Sequence, residues 1–153
     1  MILISHRGNV DTINLDRENT LEYIDSAIDK GYDVEIDLRK VDDKLYLGHD
    51  TPDNAVDYEW LLKRKDKLWI HVKDISAFCF CLNKQLRYFF HENERHTLIS
   101  NGVIWSHDLN EATEQSIIPL IKDKITKKQL EKYKNVYGIC SDYVAHYREI
   151  MNN

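Results

Sequence analysis

Five short apolar runs in this chain each end in a histidine: Ile2-Leu3-Ile4-Ser5-His6, Leu45-Tyr46-Leu47-Gly48-His49, Leu68-Trp69-Ile70-His71, Tyr88-Phe89-Phe90-His91 and Val103-Ile104-Trp105-Ser106-His107. Such runs are strand-sized, and strands that are apolar along their whole length are covered on both faces, as in a parallel α/β sheet. A sixth run, Val34 to Val41, places Glu35, Asp37 and Arg39 on the face opposite Val34, Ile36 and Leu38. Apolar strands that end in ionisable groups put chemistry at the carboxyl edge of a parallel barrel or sheet. The pattern points to an enzyme site with a metal.

The remaining segments alternate strand and helix. After the first strand, Arg7-Gly8-Asn9 read as a turn, and Asn19 or Thr20 caps a helix with Leu21, Ile24, Ala27 and Ile28 as its apolar stripe. Glu22 stands at capping-box distance from Asn19, and Gly31 ends that helix. Strands are expected over 33–41, 45–47, 68–72, 87–90, 102–106, 117–121 and 136–140, the last closing the series. Helices are expected over 58–63, 75–86, 94–100 and 126–133. With 153 residues the chain forms one domain, 1–153, with a single core. A complete eight-stranded barrel needs about 250 residues, so patterning leaves two architectures open: a reduced or incomplete (β/α) barrel, or an open doubly wound sheet.

Composition narrows the partners. The formal charge is -5, with no dense basic run outside residues 122–134, which argues against nucleic acid. No apolar stretch approaches the roughly 18 residues that a transmembrane helix requires. The first strand begins without a preceding basic segment, so a signal peptide is not expected and the cytoplasm is the expected location. Cys79, Cys81 and Cys140 read as buried free thiols. A shortened barrel would leave apolar edges that a second subunit could cover, so a homodimer is an expectation from length alone.

Glu35 and Asp37 form the sharpest candidate pair. At a period of two they share one face, about 7 Å apart along the strand, and need a compensating cation such as a divalent metal. His6 and His49 titrate near neutrality and suit a pair of proton transfers in one displacement. Arg7 offers a planar fork for a phosphate, and Gly8 permits close backbone approach. Glu18 precedes the first helix without being needed as its cap. Lys73 follows His71 on the same strand face and is placed to neutralise an anion. Trp105 reads as core or pocket wall, and His96 and His146 as surface residues.

Taken in order, His6-Arg7-Gly8, Glu18-Asn19-Thr20, Gly31-Tyr32-Asp33-Val34-Glu35-Ile36-Asp37 and Gly48-His49-Asp50 resemble the signature of the glycerophosphodiester phosphodiesterase family. That family belongs to the phospholipase-C-like phosphodiesterases, built on a TIM barrel. Leu68 to Lys73 resembles its next strand, and Gly138-Ile139-Cys140-Ser141-Asp142-Tyr143 its closing one. The resemblance implies a short, divergent member. In it His6 and His49 are the acid–base pair, Arg7 holds the phosphate and Glu18 helps to organise the pocket; Lys73 and Trp105, from their strand-end positions, join Arg7 and Glu18 as candidate substrate-binding residues. Glu35 and Asp37 ligate one calcium or magnesium ion, and the partner is a small-molecule or lipid-derived phosphodiester. The family's third acidic ligand, in a Glu-x-Lys pair, is replaced here by His71, with Lys73 retained. Imidazole is a poor calcium or magnesium ligand, so His71 brings manganese or zinc into consideration. The chain also lacks room for the family's substrate-covering insertion after the second strand. Two other readings stand beside this one. The first is a non-catalytic barrel-derived domain that binds a phosphorylated ligand; the second is an unrelated α/β protein whose histidines satisfy backbone groups.

Overall fold

The computed structural model describes residues 1–153. Strand β1 (Ile2–His6) leads through a tight turn and an irregular stretch to helix α1 (Leu21–Asp29), whose Ile24 and Ala27 are buried. Gly31, at φ 85°, ends α1. The amide of Gly31 bonds Ile28 O (2.8 Å) and that of Tyr32 bonds Ala27 O (3.2 Å), the paired bonds of a Schellman termination. Strand β2 (Asp33–Val41) follows at once and turns over a two-residue hairpin into β3 (Lys44–Leu47), which pairs with β4 (Asn54–Val56). Helix α2 (Tyr58–Lys63), capped by Asp57, leads to β5 (Leu68–Val72). Helix α3 (Ile75–Cys81), capped by Asp74, leads to β6 (Tyr88–Phe89). Then come β7 (His96–Leu98), β8 (Ile104–Ser106) and β9 (Ser116–Pro119). Helix α4 (Lys127–Leu130) carries the Thr126–Gln129 capping box and runs into a 3-10 turn, Glu131–Tyr133. Strand β10 (Gly138–Ser141) and helix α5 (Val144–Asn152) complete the chain.

The parallel strands run in the order β6, β5, β2, β1, β10, β9, β8. Around the sheet this is chain order, with the first strand beside the last, which is the order of a barrel. It decides between the two architectures: the fold is an incomplete TIM-barrel-like α/β barrel. Between β6 and β8 no strand ladder closes the ring. There Ser100 donates its amide to Tyr88 O (2.9 Å) and accepts from the Tyr88 amide at Oγ (3.0 Å), and His91 Nδ1 meets Thr97 Oγ1 at 3.1 Å. Side chains fill the rest of the seam: Phe89 stacks on Trp105 at 4.8 Å between centroids, and His91 on His107 at 4.3 Å.

The alternation in β2 sorts two environments. Val34, Ile36 and Leu38 join Ile24, Leu61 and Ala77 in the outer core beneath the helices. The inner face carries Glu35 and Asp37, above an interior plug of Ile4, Trp69, Phe89, Ile99, Val103, Trp105, Ile117 and Cys140.

Several expected elements differ. Residues 94–100 are not helical: His96–Leu98 form β7, antiparallel to β8, because pairing with Ile104–Ser106 outweighs the local charge pattern. Helix α3 ends at Cys81, short of residue 86. Strand β4 and helix α5 appear where none was expected. Cys79 is exposed, whereas Cys81 and Cys140 are buried free thiols. No helix is long and apolar enough to cross a membrane.

Candidate functional site

The register of β2 with its neighbours builds the site. His6 of β1 stands beside Glu35, and His71 of β5 beside Asp37, so three adjacent strands deliver ionisable side chains at one level of the carboxyl edge. Glu35 and Asp37 are both buried. His71 Nδ1 lies 3.7 Å from Glu35 Oε1 and 3.4 Å from Asp37 Oδ1. His6 Nε2 lies 3.9 Å from Glu35 Oε2, and Lys73 Nζ lies 3.8 Å from Asp37 Oδ1.

The loop after β1 completes the network. Arg7 Nε approaches Asp37 Oδ2 at 2.8 Å, and its Nη1 donates to Glu18 Oε2 at 3.0 Å. Asn19 grips Asp37 twice: its Nδ2 donates to Oδ2 (2.9 Å) and its Oδ1 accepts the Asp37 amide (3.1 Å). Arg7 and Asn19 both adopt left-handed backbone, φ 55° and 59°. Each such non-glycine residue costs of order 1–3 kcal/mol and persists where surroundings over-determine it. Asn19 is therefore no helix cap, as its spacing to Glu22 suggested. Its side chain is committed to Asp37, Thr20 holds the cap position, and no side-chain cap bond forms.

His6 has a partner that strand patterning did not place. Its Nδ1–H donates to Asp142 Oδ1 (2.7 Å), which fixes the ring and leaves Nε2 facing Glu35. Asn9 Nδ2 donates to both Asp142 Oδ1 and Glu18 Oε1, each at 2.8 Å. Burial works to lower the His6 pKa, but the Asp142 bond and the Glu35 charge prevail and raise it. For His71 burial likewise opposes, and the two carboxylates lift its pKa to about 9. Burial would raise the Asp37 pKa, yet His71, Arg7 and Asn19 hold it well below the usual carboxylate range.

Two oxygens of the carboxylate pair, Glu35 Oε2 and Asp37 Oδ1, are buried without a hydrogen-bond partner. Unpaired acceptors of that kind are costly. With His71 Nδ1 nearby, Glu35, Asp37 and His71 have the donor set a divalent cation takes. His6, Glu18 and Asp142 also cluster, but there the Asn9 amide already stands between the carboxylates.

His49 lies apart from this network. Its side chain is 42% exposed, with Nδ1 2.8 Å from Asp50 Oδ1, and no hydrogen bond or ion pair joins it to His6, Glu35 or Asp37. Its backbone is nonetheless tied to the site. The Gly48 amide bonds Asp37 O (3.0 Å), and Arg39, on the same strand face as Asp37, donates to the carbonyls of Gly48 and His49. Trp105 sits in the interior plug, stacked on Phe89, and its Nε1 donates to His107 Nε2 (3.2 Å). Beside the site a cavity of about 740 Å³, lined mainly by polar and charged residues, opens between His91–Arg95 and His107–Asn110. His91 O accepts His71 Nε2–H at 3.0 Å, so the cavity wall and the carboxylate pair share a residue contact.

Sequence reasoning thus brings His6, Arg7, Glu18, Glu35, Asp37, His71 and Lys73 into one network. It left Asn9 in a turn, placed Arg39 on the right face without giving it a role, and misjudged Asn19. Their common signal was a polar residue in a strand-end loop or on the inner face of β2. His96 is not a plain surface residue: it joins Ser106 Oγ (2.9 Å) and Glu111 Oε2 (2.7 Å). That chain has the order of a nucleophile relay, but Ser106 is fully buried, out of a substrate's reach.

No protein-family model and no curated protein matches the sequence. Among solved structures, the chain is similar to the crystal structure of glycerophosphodiester phosphodiesterase from Agrobacterium tumefaciens str. C58. The TM-score is 0.60 over 99% of both chains, at 15% sequence identity. At that identity the likeness is one of fold, and the chain shares its barrel architecture with a glycerophosphodiester phosphodiesterase.

Proposed function

We propose that this chain is a metal-dependent phosphodiesterase that hydrolyses a small-molecule or lipid-derived diester, glycerophosphodiester-like in its core. The observation that carries the reading is the buried Glu35–Asp37 pair, with two unpartnered oxygens, ringed by His6, His71, Arg7 and Lys73 at the carboxyl edge. The motif resemblance and the shared fold support it. Glu35, Asp37 and His71 would hold one divalent ion, which when bound supplies positive charge to the non-bridging phosphoryl oxygens. Arg7 and Lys73 add fixed positive charge beside the same oxygens and orient the phosphate. Glu18 and Asn9 hold the Arg7 loop in place. His6, oriented by Asp142, serves one proton transfer, and His49, held on the β3 turn, serves the other: one deprotonates the nucleophile and one protonates the leaving oxygen.

Hydrolysis of bis(p-nitrophenyl) phosphate by chelated protein, with single divalent metals restored, tests the reading. We expect metal-restored turnover, and we expect His49→Ala to lower it about a hundredfold or more while metal binding survives. Equal loss of binding and turnover would remove His49 from the proton-transfer role. One observation favours a second reading, a domain that binds a phosphorylated ligand without cleaving it: His49 makes no contact with the carboxylate network. Metal and phosphate binding by a protein inert toward diesters would establish that alternative.

A further inference from the structure

We propose that the Glu35–Asp37–His71 site selects a borderline transition ion of the zinc or cobalt class over magnesium and calcium, a selectivity that rests on the metal site of the reading above. Three features of His71 carry it. Its Nε2–H is committed to the His91 carbonyl at 3.0 Å, so in the neutral ring the lone pair belongs to Nδ1. Nδ1 in turn faces Glu35 Oε1 and Asp37 Oδ1 at 3.7 and 3.4 Å. The ring also stacks on Phe89 at 4.9 Å and an interplanar angle of 9°, which keeps it from swinging away. An imidazole whose second nitrogen is anchored on a backbone carbonyl is how metal-ligating histidines are held and their tautomer chosen.

The rest of the shell offers few oxygens. Asp37 Oδ2 is engaged by Arg7 and Asn19, leaving Oδ1 as the open ligand atom. Lys73 is a cation and donates no lone pair. The protein therefore presents carboxylate oxygens of two residues and one imidazole nitrogen. Calcium takes 6–8 oxygens and magnesium favours carboxylates, phosphates and water, whereas imidazole suits zinc and its neighbours. Three protein ligands with an open position is also the arrangement of catalytic zinc sites.

The test is calorimetric titration of the chelated, full-length protein with Zn²⁺, Mn²⁺, Mg²⁺ and Ca²⁺ in separate runs, together with ¹⁵N spectra of the histidine rings. We expect one Zn²⁺ per chain, bound at least about tenfold more tightly than Mg²⁺ or Ca²⁺, with Mn²⁺ between them. We expect Zn²⁺ to move the His71 Nδ1 resonance while Nε2 keeps its proton. His71→Asp should erase or reverse the preference, and His71→Asn should erase it should the aspartate variant not fold. Comparable affinity for Zn²⁺ and Mg²⁺, or a preference that survives both substitutions, overturns the assignment. So does a Zn²⁺ response confined to His91, His96 or His107. No substrate is present, so inactivity with the preference intact counts against the hydrolase reading alone. Diester turnover by a protein without the preference counts against the selectivity alone.

Discussion

Asp37 is the residue on which the site turns. Its Oδ2 holds Arg7 and Asn19, its amide is gripped by Asn19 again, its carbonyl receives Gly48, and its Oδ1 is open. The histidines around it set the pH behaviour of the metal-free protein in opposite directions. The His71 pKa is raised from 6.5 to about 9, so the stability it contributes is whole below pH 6.5 and is lost as pH rises through about 9. His91 runs the other way: burial first, then His107 and His71, depress its pKa to about 4. The stability from its neutral ring is present above pH 6.5 and is lost as pH falls through about 4. Urea midpoints between pH 4 and 10 should trace a dome, with His71→Asn flattening the alkaline limb and His91→Phe the acid one. A dome unchanged in both variants would assign the limbs to other groups. At this scale the sequence showed the actors whose chemistry is visible in a strand pattern, Glu35, Asp37, His6 and His71. The Asn9–Asp142 bond joins residues 133 positions apart and Asn19 reaches 18 positions forward to Asp37, and no local pattern carries such pairings.

At the level of elements, the β2–β3 hairpin is the arm that carries His49. Its return strand delivers Gly48, where an added Cβ would fall 1.9 Å from Thr51 O and 2.8 Å from Asp53 Oδ2. Because the nearest atom is backbone, the turn itself must move. We expect Gly48→Ala to cost about 1–3 kcal/mol by overpacking, read from urea denaturation, and to lower kcat with little change in metal affinity. Arg39→Met should lower kcat in the same way with a smaller stability loss, since Arg39 fastens the carbonyls of Gly48 and His49. An unchanged kcat in both variants would show that the position of His49 is immaterial. The strands over 2–6, 33–41 and 68–72 and the helix over 58–63 were legible because each is bounded by its own turn or cap residues. Strand β7 was not, because its identity lies in its partner, and three residues carry no period. Helix α5 was hidden for another reason: of its nine residues only Val144 and Tyr147 are buried, too few to print an apolar stripe.

Across the whole molecule, the shortened barrel keeps the strands that deliver the site and omits helices elsewhere. Helices α1, α3 and α5 pack on β1, β2 and β5, and α4 lies in the β9–β10 connection, but none occurs in the chain between α3 and β9. The interior plug therefore bears more of the closure than in a complete ring. Phe89 touches both sides of it, stacking on His71 at 4.9 Å and on Trp105 at 4.8 Å. We expect Phe89→Ala to cost about 3–5 kcal/mol of stability in urea denaturation and to weaken metal binding by releasing the His71 ring. Loss of stability with metal affinity intact would confine Phe89 to packing. Where β6 meets the β7–β8 hairpin, stacked rings stand in for a ladder of backbone bonds. A ladder fixes backbone register bond by bond, whereas stacked rings hold the side chains and leave the backbone register of that wall unpinned. That wall is thus the compliant stave of the barrel, and its amides should exchange with solvent well before those of β1 and β10. The carboxyl edge is pinned by ladders where the carboxylates lie and free of them at the β6 seam, the side on which the proposed reading would seat a bulky diester arm.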